Sequence, residues 1–292
     1  MTEVVRGRRR GPSWTKVGHG LYVAVPPARC ESEDRLRAWS LVLPGSAVFT
    51  HLDAARLRGW WLPRAGTEPV HVAMAAAERH PQRCGLAVTR LREPPEIETV
   101  RGLPVATAPE TLLAAARDLG VLDLVPLADS ALRLRHCSLD EISAAAAQRR
   151  RGAPVLRTVL PLLDDRSESP WESIMRVLHH AARIEVEAQH VVRDEAGRFV
   201  ARGDLWLVGT RRLHEYDGEV HRDLAVHRGD LARDRRLLEA GWQRYGYTAA
   251  EVLRGGALIA SADALLGRRW DPTRLARWRG LVDGSRWRLG VH

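Results

Sequence analysis

One lysine and three cysteines are all that this chain of 292 residues holds of those types, and each scarcity excludes something. Lys16 stands alone, so the other 44 of the 45 Lys and Arg residues are arginines. Unless Lys16 reaches a site from the far end of the chain, a GK[ST] phosphate loop, a Schiff-base enzyme and a lysine-dependent nuclease are excluded. Arginine stays protonated and cannot serve as a general base. Cys30, Cys84 and Cys137 are odd in number and lack paired spacing. That excludes a disulfide framework and fits a reducing cytoplasm, the expected location. No apolar run is long enough to span a bilayer, and the first residues are rich in Arg rather than apolar. Neither a membrane partner nor a signal peptide is therefore expected. No His-x-x-x-His or Cys-x-x-Cys spacing combines into a zinc site.

What is abundant points to a globular chain with a polyanionic partner. A hydrophobic content of 45% suffices for two buried cores, and the length suggests about two domains. The formal charge is +9 and the isoelectric point about 10.5, carried by guanidinium forks that match phosphate oxygens. A GC-rich coding sequence would also favour Arg over Lys, so composition alone leaves both explanations open.

The densest chemical signal is the run 204–218, DLWLVGTRRLHEYDG. Two apolar arms flank a turn at Gly209-Thr210 and read as a hairpin. Side chains two apart on a strand share a face, which puts Glu215 with Asp217, and an antiparallel partner can bring Asp204 alongside. Such a cluster repels itself unless a cation neutralises it. Carboxylates with open positions suit Mg²⁺ or Mn²⁺ and metal-assisted phosphodiester hydrolysis. The competing reading is a pair of acids on the solvated face of an edge hairpin.

Upstream, Ser169-Pro170-Trp171-Glu172 opens an apolar-periodic helix, with Ser169 as N-cap, Pro170 in the first turn and Glu172 at the third position of a capping box. Glu172 thus has a structural role available beside any part in binding metal or water. A strand over 186–192 carries Gln189, and the turn 194–197 leads to Asp204. Downstream, His221, Arg222 and His227 precede a helix over 231–239 with Arg233, Arg235 and Arg236.

Taken in order, the Glu172 helix, Gln189, Asp204, Glu215-Tyr216-Asp217-Gly218, His221, Asp234-Arg235 and Gly241-Trp242 resemble the PD-(D/E)XK superfamily. The nearest subgroup is similar to very-short-patch repair endonucleases, in which an acidic-x-Asp-Gly run followed by His replaces the usual acidic-x-Lys. The resemblance covers roughly 167–266 and implies a restriction-endonuclease-like domain, a mixed sheet flanked by helices, over 167–292. It implies further that Asp204 and Glu215 bind Mg²⁺ or Mn²⁺, that Glu172 is the acid on the first helix, and that Asp217 stands where Lys would be. Proton transfer then falls to His221 or to water on the metal; otherwise His221 is an ordinary surface residue.

Residues 1–13 hold Arg6, Arg8, Arg9 and Arg10 among glycines and a proline, the composition of a mobile basic arm. Arg8, Arg9 and Arg10, with Arg222 and Arg235, are the expected phosphate contacts. Alternation over 14–25 predicts a hairpin bent at Gly18 and Gly20, like the wing of a winged helix. Helices are expected over 33–43, 52–60, 107–119, 122–134, 139–148 and 272–280, and strands over 69–75 and 86–91. Gly20-Leu21-Tyr22, Ala47 to His51, Ala54-Ala55, Leu57, Gly59 and Pro109 to Leu112 resemble AbiE-type abortive-infection antitoxins, which are transcriptional autoregulators. That implies a winged-helix-like, antitoxin-like module over 14–163, with 163–169 as the linker and a cognate toxin protein as one partner. Only about a dozen residues precede Trp14, too few for the helix-turn-helix that the family places there. Four of the ten tryptophans, Trp242, Trp270, Trp278 and Trp287, lie among arginines near the C-terminus, where helix packing and base stacking both fit.

The expectation is thus a two-domain α/β protein that hydrolyses DNA with Mg²⁺ in repair or phage defence. The competing class is a catalytically inactive DNA-binding regulator or antitoxin.

Overall fold

The computed structural model describes residues 3–9, 11–63, 69–218 and 224–290, the last with backbone only at 224–230 and 289–290. The chain divides into two units, residues 1–118 with 137–157, and residues 119–136 with 158–292. It is a mixed α/β protein in which helices flank mixed sheets.

The first unit begins with β1 (Val4–Arg6), β2 (Thr15–Gly18) and β3 (Leu21–Val23), an antiparallel sheet in the order β1-β3-β2. The hairpin read from alternation is present. The mobile arm is not what its first half forms, because Val4 pairs with Val23 and Arg6 with Leu21. Two adjacent β-branched residues supply strand propensity that the surrounding arginines mask. Next come α1 (Ser32–Ser40), β4 (Val48–Phe49), α2 (His51–Leu57), β5 (Val70–Ala75), β6 (Leu86–Leu91), β7 (Ile97–Val100), β8 (Leu103–Ala106) and α3 (Ala108–Ala115). The larger sheet runs β6-β5-β4-β8-β7 and mixes parallel with antiparallel pairs. Leu21, Leu36, Trp39, Phe49, Leu57, Val72 and Val105 form one core that joins both sheets to α1 and α2.

Helix α4 (Val121–Arg133) interrupts this unit and belongs to the other, whereas sequence reading placed the boundary near residue 163. Two buried acids explain the assignment. Asp123 accepts from Ser285 Oγ at 2.6 Å, and Asp129 accepts from Ser173 Oγ at 2.6 Å and from the Asp164 amide at 2.9 Å while pairing with Arg176. Buried carboxylates are tolerated only where such partners exist. The chain then forms α5 (Leu139–Ala147) and α6 (Ala153–Val159).

The second unit continues with α7 (Pro170–Ala181), β9 (Val186–Arg193), β10 (Phe199–Leu207), β11 (Arg212–Tyr216), α8 (Leu224–Glu239), β12 (Gln243–Tyr247), α9 (Ala249–Arg254), α10 (Gly256–Leu265) and α11 (Pro272–Asp283). Its sheet runs β12-β11-β10-β9, antiparallel except for β11 with β12, which α8 connects as a crossover. Successive residues of β11 face opposite sides. Leu213 packs with Leu237 of α8, and His214 bonds His179 of α7, so the two helices cover opposite faces. Trp278 and Trp287 are buried in packing, Trp242 is partly covered beside Trp206, and Trp270 is 47% exposed.

Candidate functional site

Helix α7 starts as its sequence dictates. Ser169 Oγ accepts the Glu172 amide at 3.2 Å and Pro170 occupies the first turn. The reciprocal half of the capping box does not form. Glu172 Oε2 accepts instead from the Glu168 amide at 2.7 Å and from Gln189 Nε2 at 2.8 Å, which ties the helix start to β9. Gln189 has φ +53°, a left-handed conformation that non-glycine residues adopt at a cost.

The pairs Gly203 with His190 and Leu205 with Ala188 leave Asp204 across from Gln189. Its Oδ2 accepts the Tyr216 amide at 2.9 Å. Burial and then the Glu172 carboxylate push the Asp204 pKa up to about 6, against the Tyr216 N–H, Arg233 and Arg244. Glu172, Asp204 and Glu215 are therefore one electrostatic cluster, since Asp204 in turn raises Glu215.

Glu215 is 4% exposed. Arg233 of α8 donates to both of its oxygens, 2.9 Å to Oε2, and Arg244 Nε of β12 donates to Oε2 at 2.7 Å. Burial raises the Glu215 pKa, and the two guanidinium groups oppose that rise. Sequence reasoning required a cation for this cluster and named a metal. The cations in place are Arg233 and Arg244. The available signal was an arginine on each of the two elements after the acidic run.

Asp217 lies just beyond β11, half exposed, and accepts from Arg244 Nη2 at 2.9 Å. Sharing Arg244 with Glu215 puts both acids on one side of the strand, as their spacing implied. Gly246 faces Glu215 in the parallel register, and a Cβ there would overlap the Asp217 carboxylate. Glycine at this position leaves room for that carboxylate. Trp171 stacks on Tyr216 with ring centroids 5.6 Å apart, on the opposite face of the strand from Glu215 and Asp217.

His221, Arg222 and Arg10 lie outside the described residues. Arg235 is exposed on α8, and Arg8 and Arg9 lie exposed in the first unit, where the Arg9 guanidinium sits 5.6 Å from the Trp14 ring centroid. Among the described residues, no three His, Cys, Asp or Glu side chains form a group that could hold a metal ion.

On the α7 side of the sheet, His179 and His214 form a buried pair. His179 Nδ1 lies 2.7 Å from the Met175 carbonyl and so carries the proton, leaving Nε2 to accept from His214 Nδ1 at 2.9 Å. His214 Nε2 is then a buried acceptor without a partner among the described residues. Burial lowers His179 to about 4, and burial with His179 lowers His214 to about 2.

Two proteins of Mycobacterium tuberculosis, Uncharacterized protein MT2308 of strain CDC 1551 / Oshkosh and Uncharacterized protein Rv2248 of strain ATCC 25618 / H37Rv, are similar to this chain. Each is 30% identical over 267 residues, 89% of this chain and 94% of the relative. The chain belongs to their family. The similarity to Rv2248 extends over more residues than either unit holds, so both units are part of what the family shares. No family model and no solved structure matches the chain.

Proposed function

We propose that the second unit is a restriction-endonuclease-like domain whose Glu172, Asp204 and Glu215 serve metal-dependent hydrolysis of DNA phosphodiester bonds. The observation that carries this reading is the meeting of three acids from α7, β10 and β11: Glu172 holds Gln189 across from Asp204, and Asp204 accepts the amide of Tyr216 next to Glu215. The order α7-β9-β10-β11-α8-β12 on a mixed sheet supports it, because the resemblance implies a mixed sheet with flanking helices.

The donor set fits a hard divalent cation in part. Glu172 Oε1 and Asp204 Oδ1 accept no hydrogen bond from a described residue, and burial beside Glu172 makes the charged form of Asp204 costly without a cation. Glu215 must share its oxygens with Arg233 and Arg244. Asp204 and Glu215 would hold Mg²⁺ or Mn²⁺, which supplies Lewis-acid polarisation of a phosphoryl oxygen and a more acidic water. Asp204 can hold or release a proton at Oδ1 near neutrality. Arg233 and Arg244 fix Glu215 with three charge-assisted hydrogen bonds.

A second reading is favoured by the two arginines themselves. They neutralise Glu215 without a metal, and Asp217 stands where the resemblance implies Lys. On that reading the unit is a scaffold in a DNA-binding regulator, and the first unit acts as its antitoxin-like partner-binding part. Plasmid nicking by the full chain with Mg²⁺ or Mn²⁺ decides between them. Cleavage that Glu215→Gln and Asp204→Asn abolish, with duplex binding kept, supports hydrolysis. A wild-type chain that binds duplex, mismatched and single-stranded DNA and cuts none of them leaves the regulator.

A further inference from the structure

We infer that the first unit carries a nucleic-acid backbone site of its own, a basic groove on either side of the turn Arg149-Arg150-Arg151. The inference rests on DNA as the partner of the proposed function, and not on catalysis. Two hollows of about 250 Å³ and about 700 Å³ meet at this turn and share Arg117, Arg150 and Arg151. Arg90 lines the first, and Arg149 and Arg157 line the second. Against six guanidinium groups the two linings offer one carboxylate, Glu110.

The turn is built rather than loose. Arg150 grips Glu110 of α3 with two bonds of 2.6 and 2.7 Å and also reaches Gln148 at 2.8 Å. Gly152 has φ +92° and lies so close to α3 that a Cβ would strike the Leu113 carbonyl. Glycine there allows both the left-handed backbone and the contact. With Arg150 spent on Glu110, its neighbours Arg149 and Arg151 are held on a clamped backbone and pair with no carboxylate among the described residues. Among the described residues the Arg117 side chain, between the two hollows, donates only to Thr89 Oγ1 at 3.2 Å, which keeps its fork in place while leaving the Thr89 hydroxyl proton free to donate.

Unpaired like charges held together raise the cost of the compact state, so their neutralising partner is expected outside the chain. Guanidinium forks and a threonine hydroxyl match phosphate oxygens, and a turn whose backbone is already fixed needs no ordering on binding. None of the large apolar side chains exposed among the described residues lines either hollow, so an apolar anchor for a lipid surface is missing. The contacts would be to backbone phosphate and carry no sequence preference.

The test is fluorescence anisotropy of a short labelled duplex with the full-length chain in EDTA, titrated over about 50 to 200 mM salt. Replacing Arg117, Arg149 and Arg151 together by Ala should reduce the slope of log affinity against log salt by about 2.7, the loss of three phosphate contacts at ~0.9 each. The matching triple Lys variant should keep most of the slope, because charge rather than packing is at stake. An unchanged slope in a triple Ala variant that melts like the wild type overturns the inference. So does a Lys variant as weak as the Ala one, a wild type that binds no duplex, or tighter binding of poly-glutamate than of DNA. Nicking with Mg²⁺ is read separately, so loss of the catalytic reading and loss of this groove are distinct results.

Discussion

Arg244 Nε sits 2.7 Å from Glu215 Oε2, while the same guanidinium reaches Asp217 with Nη2 at 2.9 Å. One side chain thus neutralises two acids, one buried and one exposed. Arg244→Ala leaves Glu215 with Arg233 alone beside Asp204, and breaking a largely buried pair should cost about 2–3 kcal/mol near neutral pH. The loss should shrink on acidification, because a Glu215 whose pKa burial has raised protonates early. Urea denaturation near pH 7 and near pH 5 checks both the size and the trend. A cost independent of pH would mean that Arg244 acts through packing alone.

The His179–His214 pair makes stability depend on pH. A histidine whose folded pKa is below its unfolded value binds fewer protons when folded. Its contribution is therefore complete above the unfolded pKa, about 6.5, and is lost as pH falls toward 4, the folded value of His179. That loss is on the order of 3 kcal/mol between those limits. Replacing both partners, His179→Leu with His214→Phe, should be near neutral at pH 7, because an unpaired buried acceptor goes with them. The double variant should also lose stability less steeply in acid. Equal acid sensitivity of variant and wild type would assign the effect to other groups.

Gly246→Ala offers a different contrast. Its Cβ must evict the Asp217 carboxylate, yet Asp217 is half exposed and its bond to Arg244 is worth at most about 1 kcal/mol. The melting temperature should barely change. In a double-mutant cycle, Asp217→Ala and Gly246→Ala should be non-additive, since both remove the same contact. Additive effects would show that the alanine displaces something else.

Asp129 is wholly buried, and burial outweighs Arg176 and Ser173 to push it up to about 6. Asp129→Ala strands the Arg176 guanidinium and should cost about 3–5 kcal/mol. Arg176→Ala should cost less, and least in mild acid, because Asp129 can take up a proton where Arg176 cannot lose one. Chemical denaturation of both variants at two pH values gives the comparison. Equal costs would indicate that the pair contributes only its packed volume.

The acidic hairpin was legible because alternation and a Gly-Thr turn encode a local structure, and α7 because Ser169, Pro170 and Glu172 signal a helix start. The amphipathic helices near the first unit's end were readable for the same reason. Strand β12 was not, since Gln243, Arg244 and Gly246 carry little strand propensity and its partner is reached only through the α8 crossover. The β7–β8 hairpin turns at Arg101-Gly102, both with positive φ, and Arg gives no hint of a left-handed turn. The arginine pair on Glu215 escaped for a related reason. A guanidinium among 44 looks like any other until two elements distant in sequence bring it to a carboxylate. The place of α4 depended on where Asp123 and Asp129 find partners, more than 30 residues away in each case.

The path of the chain through α4 bears on how the protein can be divided. The backbone passes between the units at 118/119, at 136/137 and again at 157/158, so neither unit is one continuous stretch of polypeptide. A fragment starting at residue 158 would keep every acid of the candidate site and lose Asp129, leaving Arg176 without its buried counter-charge and Ser285 without Asp123. Its failure to cut DNA would then report a missing helix rather than a missing activity. A separable second unit would need residues 119–136 restored by circular permutation or supplied as a peptide, and recovery of its fold by that addition would show that the interleaved helix is what binds the two halves of the gene into one folding problem.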